Sequence, residues 1–265
     1  MYFSLQFIAL ALCVTITTLQ EDKFCCRQSA NVNFYLRHME SVEAFYNELS
    51  SRYTELISRC VPRYEEMFYN LFHYIPNELQ PQQILDLGCG TGNLTAATLH
   101  YYPDASIHAL DLSAEILNEC RQRFIQHKNV FYHQQDFSEL NFAPETFDLI
   151  ISSIAIHHIP DEAKAGLYAQ VYRLLKPGGI FVWADQTRGI TEEVYQKHIA
   201  RWKEEAFKLG STEADWQLWM AHQDAHDYHS PVDWHLKQLE AVGFTEVDVI
   251  WKNIMWAVIW SRKSD

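Results

Sequence analysis

A chain of 265 residues, 48% of them hydrophobic, can bury one ample core, and its length does not demand a second domain. Thirty-four acids against 21 bases leave a net charge of −13 with no dense run of Lys and Arg, a surface that repels an extended phosphate backbone and argues against a large nucleic-acid substrate. Six cysteines without a CxxC spacing read as free thiols in a reducing, cytoplasmic compartment.

Residues 1–20 are uncharged, and Phe7 to Ile16 is apolar enough for the h-region of a signal peptide. A basic n-region and a small-residue cleavage site are missing, and Ser4, Gln6, Thr15, Thr17, Thr18 and Gln20 dilute the stretch for a spanning helix. Three readings of residues 1–38 stay open: an extension without function upstream of a start at Met39, a signal or membrane anchor, and a packed extra helix. Nothing in the composition speaks to oligomeric state.

Val42, Phe45, Tyr46, Leu49, Tyr53, Leu56 and Ile57 recur at helical spacing and predict an amphipathic helix to Arg59, ended by Val61-Pro62. A second helix starts at that proline with Tyr64, Met67, Phe68, Leu71 and Phe72. The apolar run Ile84-Leu85-Asp86-Leu87 then breaks into Gly88-Cys89-Gly90-Thr91-Gly92 and resumes as a helix from Asn93. Strand, glycine turn and helix predict a nucleotide site, because residues without a Cβ let a ligand approach the backbone amides at a helix N-terminus. Asp111 follows Asp86 by 25 positions, at the end of the run Ile107-His108-Ala109-Leu110, where an acid that reads a ribose diol belongs.

Ser113 caps a helix predicted over Ala114 to Gln126. A short strand, Val130 to His133, leads to Asp136-Phe137, which at a strand's C-terminal end face a ligand crevice; a turn cap is the other reading of Asp136. Phe147 to Ser153 is a strand buried on both faces. It emerges into Ile154-Ala155-Ile156-His157-His158, whose histidines have the intrinsic pKa to take a proton from an acceptor or else hold the loop in shape. A helix over Asp161 to Leu175 turns at Lys176-Pro177-Gly178-Gly179 into the strand Ile180 to Ala184. Asp185 at its end orients an acceptor or caps the next segment.

Residues 191–229 leave the alternating pattern and, with Trp202, Phe207, Trp216, Trp219 and Met220, predict a two-helix lid hinged at Gly210-Ser211 over a pocket for a small, partly aromatic or hydrophobic molecule. His222-x3-His226-x2-His229 with Asp224 and Asp227 has helix-face spacing, but without cysteines or a partner motif it is read as a solvated polar helix end and no metal is assigned. Val232 to Ala241 is a helix stopped at Gly243, followed by strands Phe244 to Trp251 and Ile254 to Trp260 around Lys252-Asn253.

The glycine pattern also serves dehydrogenases, so its surroundings decide. Asp-Leu-Gly-Cys-Gly-Thr-Gly, followed by Gln135-Asp136-Phe137, Phe147-Asp148-Leu149-Ile150 and Leu175-Lys176-Pro177-Gly178-Gly179, resembles the class I S-adenosylmethionine-dependent methyltransferases over roughly Ser41 to Arg262. The resemblance implies an α/β, doubly wound, seven-stranded, mostly parallel sheet of order 3-2-1-4-5-7-6 over residues 39–265, with N-terminal helices and the lid. It also implies S-adenosyl-L-methionine as cofactor and in-line methyl transfer to a small-molecule acceptor. Cofactor contacts are then expected from Asp86, Gly88, Cys89, Gly90, Asp111 and Leu112, with Asp136 accepting from the adenine amino group and Phe137 supplying an amide. His157, His158 and Asp185 are the catalytic candidates.

Arg59-Cys60-Val61-Pro62-Arg63-Tyr64, and Asp233-Trp234-His235-Leu236 through Ala241-Val242-Gly243-Phe244, are similar to the carboxy-S-adenosylmethionine synthase branch. That likeness implies cofactor contacts at Tyr64 and at Ser152, where the branch has asparagine. Its carboxylate-holding arginine is replaced by Trp219, which would leave a second carboxylate uncompensated and favours the ordinary cofactor. The alternatives are synthesis of the carboxylated cofactor, modification of a tRNA wobble uridine, a dehydrogenase, and a cofactor-binding scaffold without catalysis.

Overall fold

Strands Gln83–Leu87 (β1), Ser106–Asp111 (β2), Val130–Gln134 (β3), Phe147–Ser153 (β4), Leu175–Gln186 (β5), Phe244–Asn253 (β6) and Trp256–Lys263 (β7) form one sheet of order β3-β2-β1-β4-β5-β7-β6. The first five run parallel, and β7 pairs antiparallel with β5 and β6, the order that the resemblance implies. The computed structural model describes residues 41–49 and 53–265, so the start at Met39 and the signal, anchor and extra-helix readings of residues 1–38 lie outside the described residues.

Helices cover both faces of the sheet, and strand alternation decides which side chains meet which helices. Ile84, Leu149, Ile151 and Val182 pack with Phe45, Met67 and Leu71 from Val42–Leu49 (α1) and Tyr64–His73 (α3). Leu85, Leu87, Ile150, Phe181 and Trp183 point the other way, onto Tyr168 of Asp161–Leu174 (α6) and Leu239 of Val232–Val242 (α9). The predicted helix from Val42 to Arg59 is realised as α1 and Tyr53–Cys60 (α2), with residues 50–52 outside the described set. Asn93–Tyr101 (α4) and Ala114–Arg123 (α5) follow β1 and β2; α5 stops three residues before Gln126.

Two predicted boundaries move for visible reasons. Lys176-Pro177-Gly178-Gly179 is not a turn ahead of β5 but a bulge within it, since Phe147 pairs with Leu175 and Leu149 with Ile180. At the hairpin, Lys252-Asn253 stay in β6 and the turn falls on Ile254-Met255, where the buried Met255 carbonyl accepts from the Thr187 amide and hydroxyl at 2.7 and 2.8 Å.

The lid segment is two helices, Glu192–Lys208 (α7) and Glu213–His226 (α8), the second opened by a capping box between Thr212 and Asp215. They dock on the end of α2: Trp202 Nε1 donates to the Cys60 carbonyl at 2.7 Å and Ser211 Oγ to the Arg59 carbonyl at 3.0 Å. Beyond α8 the chain reverses, and the Tyr228 amide donates to the His157 carbonyl at 2.7 Å. Lys164, buried on α6, fixes that reversal by donating to Ser230 Oγ, the Tyr228 carbonyl and Asp161. Among the described residues no helix is long and apolar enough to cross a membrane.

Candidate active site

The C-terminal ends of β1, β2 and β4 open into a cavity of about 280 Å³, where a parallel α/β sheet places its ligand. Gly88, Cys89 and Gly90 form its floor, with Asp111 and Leu112 on one side. Asp136 and Phe137 stand further along, and Tyr64 closes it from α3. Of the predicted cofactor set, these eight line the space.

The glycine turn works differently from the expectation that its amides await a ligand. The Gly88 and Cys89 amides both donate to the Leu110 carbonyl, at 2.8 and 2.9 Å, and the Gly90 amide to Asp111 Oδ2 at 2.9 Å. The loop is thereby pinned across β2, and what glycine provides is closeness. Gly88 (φ +69°) has Ala155 Cβ only 2.4 Å from where its own Cβ would sit, whereas at Gly90 (φ +55°) that position has nothing within 4 Å, because it faces the cavity. Asp111 also accepts from the Ser113 amide through Oδ1 at 3.1 Å, so both oxygens are fixed while the carboxylate remains in the cavity wall. Burial lifts its pKa above the ordinary range despite these backbone donors.

Two expected cofactor contacts do not reach the wall. Asp86 is fully buried beneath the loop, where Oδ2 accepts from Thr95 Oγ1 at 2.6 Å, and desolvation raises its pKa to about 7. Its position within β1 turns it toward α4, so it ties strand to helix. Ser152 donates to the Leu87 carbonyl at 2.7 Å and joins β4 to β1; the following residue, Ser153, lines the cavity instead. Asp136 combines its two readings, since Oδ1 accepts from the Ser138 amide at 2.7 Å as a turn cap while the residue borders the cavity.

His158 is the only one of the three catalytic candidates that lines the cavity. Its Nε2 lies 3.0 Å from the Tyr46 hydroxyl and its Nδ1 3.1 Å from Asp227 Oδ1. With Nδ1 donating to the carboxylate, Nε2 accepts from Tyr46. Burial and the neighbouring His157 push the ring down to about 4, so it is neutral at pH 7. His157 and Asp185 lie deeper. Asp185 Oδ1 meets His157 Nδ1 at 2.5 Å and the Gln186 amide at 2.8 Å, while Oδ2 accepts the His157 amide at 3.0 Å. Asp185 therefore holds the loop and does not line the cavity. Burial opposes charge on His157, but Asp185 and Asp227 outweigh it and hold the ring above its usual pKa.

The segment after α8 is not a solvated helix end. His222 and Asp227 are buried beside His157 and His158, while Asp224 alone of that motif's acids is exposed. Sequence reasoning also passed over Tyr46 and Tyr53, whose hydroxyl-bearing rings line the cavity from the N-terminal helices. Their only signal was a place in an aromatic stripe, which core residues share.

Residues 84–179 match the family described as a methyltransferase domain. The chain has the class I methyltransferase fold. It is 28% identical over 172 residues to a ubiquinone/menaquinone biosynthesis C-methyltransferase of Desulfotalea psychrophila, covering 64% of this chain and 66% of that one. It is 37% identical over 98 residues to a trans-aconitate 2-methyltransferase of Deinococcus radiodurans, covering 37% and 35%. A Haemonchus contortus phosphoethanolamine N-methyltransferase, solved with phosphomonomethylethanolamine and S-adenosylhomocysteine, shares the fold at TM-score 0.60 and 17% identity over 85% of this domain's chain and 60% of its own. The chain spans between about a fifth and two thirds of the length of the curated relatives it matches first.

Proposed function

We propose that the protein is an S-adenosylmethionine-dependent methyltransferase acting on a small-molecule acceptor. The observation that carries this reading is Asp111: one carboxylate ties the glycine turn to β2 and at the same time presents itself to the cavity. The cavity accepts the cofactor on physical grounds. Gly90 leaves the space a side chain would fill, Asp111 suits the ribose hydroxyls, Asp136 and Phe137 suit an adenine edge, and Tyr64 stands over the methionine end, its hydroxyl 3.4 Å from Asn93 Nδ2.

The cofactor supplies a sulfonium methyl that a nucleophile displaces in line. The protein's part is alignment, which can lower such a barrier by about 7 to 11 kcal/mol, more than a general base contributes. Tyr46 and His158 face the acceptor end of the cavity and would orient the nucleophile. His157 and Asp185 position His158 from behind. Trp219, where the carboxylated-cofactor branch has its arginine, is buried against Phe45 with ring centroids 5.8 Å apart and brings no cation, which favours the ordinary cofactor.

Calorimetric titration with S-adenosylhomocysteine tests the reading. Asp111→Ala removes two charge-assisted acceptors and is expected to weaken binding about 100-fold, at roughly 1.5 to 3 kcal/mol for such a bond. Asp111→Asn, which keeps an acceptor for the Gly90 amide, should fall between. No affinity for the wild type, or equal affinity in Asp111→Ala, overturns the proposal; turnover of methyl-labelled cofactor against a metabolite extract identifies the acceptor class.

A further inference from the structure

Behind the cavity, four histidines converge on one carboxylate. Asp227 Oδ1 lies 3.1 Å from His158 Nδ1, 3.4 Å from His222 Nε2 and 3.6 Å from His157 Nε2; Oδ2 lies 3.6 Å from His229 Nε2. The ligand atoms of His157, His158 and Asp227 all fall within 4.8 Å of one another. Tetrahedral zinc with bonds of about 2.0 to 2.1 Å holds neighbouring donor atoms roughly 3.3 Å apart, the spacing that the three nitrogens keep to Asp227 Oδ1; His222 lies outside the mutually close group of three and joins it through that oxygen.

Hydrogen bonding alone leaves this cluster unexplained. His222 is 3% exposed and stacks on Phe45, yet among the described residues neither of its ring nitrogens has a hydrogen-bond partner. Leaving such a group unpaired in a protein interior is costly, and native structures rarely do so without a ligand. The other rings are oriented from outside. Asp185 holds His157 by Nδ1 at 2.5 Å, the Tyr46 hydroxyl meets His158 Nε2 at 3.0 Å, and the Tyr195 hydroxyl meets His229 Nδ1 at 2.7 Å. In each case the remaining nitrogen faces Asp227. Carboxylate or hydroxyl on one ring nitrogen, with the other turned toward a common centre, is the outer shell that fixes histidine tautomers at metal centres.

We propose that His157 Nε2, His158 Nδ1, His222 Nε2 and Asp227 Oδ1 bind a divalent transition-metal ion of the zinc class, with Asp185, Tyr46, Tyr195 and His229 as its outer shell. Imidazole and carboxylate donors without thiolate select such ions over magnesium or calcium. Four protein ligands make the site closed, the mark of a structural centre. It fastens the lid, through His222 and Asp227, to the turn that follows β4. An ion on His158 Nδ1 requires the single proton of the neutral ring to move to Nε2, which then donates to the Tyr46 oxygen and turns the tyrosine proton toward the cavity. The metal site itself stands independently of the methyltransferase reading.

The full chain is stripped with chelator, titrated with zinc under elemental analysis, and reloaded with cobalt(II) as a spectroscopic probe. One equivalent of zinc, a rise in melting temperature on zinc addition, and the intense visible bands of tetrahedral cobalt are expected. His222→Gln forfeits no hydrogen bond of the described structure, so it should fold by circular dichroism while losing at least 100-fold in zinc affinity. Asp185→Asn should lose about 10- to 100-fold. His226→Gln, on the same helix outside the proposed ligand set, should bind as the wild type does. No stoichiometric uptake, or uptake unchanged in His222→Gln, overturns the proposal. Should His222→Gln not fold, the wild-type cobalt spectrum decides: octahedral, aquo-like bands refute the site.

Discussion

Asp86 gives a stability prediction whose sign and size follow from its burial. The carboxyl is fully excluded from solvent, Oδ1 has no hydrogen-bond partner among the described residues, and its folded pKa is about 7 against about 3.9 in an unfolded chain. A raised folded pKa means that the native state prefers the protonated form. Stability from this group is therefore fully present below about pH 4, declines from pH 4 to 7 as the unfolded chain ionises first, and levels off above pH 7. Three pKa units at 1.36 kcal/mol each make the loss about 4 kcal/mol. Asp86→Asn resembles the protonated acid and keeps an acceptor for Thr95 Oγ1. Denaturant unfolding of ligand-free protein at pH 4.5 and pH 8 isolates the group as the difference between wild type and variant, since every other titration is common to both. The variant should be near parity at the lower pH and more stable by up to about 4 kcal/mol at the higher. A difference that does not change with pH would refute the buried, unpaired carboxyl.

Gly90→Ala places a methyl group in open cavity at φ +55°, so it should cost roughly 1 to 2 kcal/mol of stability yet reduce S-adenosylhomocysteine affinity at least tenfold; calorimetry on the folded variant reads both. Gly88→Ala, driven to 2.4 Å from Ala155 Cβ, should instead fail at the level of expression and melting. Lys164→Met removes the three donations that hold the reversal after α8, and with Asp161 half-exposed the expected loss is about 2 kcal/mol, measured by urea unfolding. Faster amide exchange at Tyr228 should accompany it.

How much of this was legible in sequence depended on whether a feature is local. Strand order and the glycine turn are written in contiguous motifs, and Asp111 sits at a strand end where its direction is nearly forced. Asp86 looked equivalent because it stands before the same turn, but β1 is buried on both faces, so strand parity decides only which layer of helices the side chain meets and never brings it to the cavity. Ser152 and Ser153, neighbours on β4, face opposite sides, and the one matched by resemblance is the one facing Leu87.

The histidine cluster was misread for a further reason. The spacing of His222, His226 and His229 assumes a helix that continues, whereas α8 ends at His226 and the chain turns back, so Asp227 and His229 come to His157 through a reversal held by Lys164. No periodicity encodes that meeting. It brings together residues 46, 157, 185, 195, 222 and 227, from the N-terminal helices, the sheet and the lid. The cavity wall made by the glycine turn and Asp111 is thus assembled from two adjacent strand–helix units, whereas Tyr46, Tyr53 and His158 reach it from distant segments. No residue of 191–229 lines the cavity itself, so under the proposed function the lid acts on the acceptor through Asp227, which holds His158 from behind.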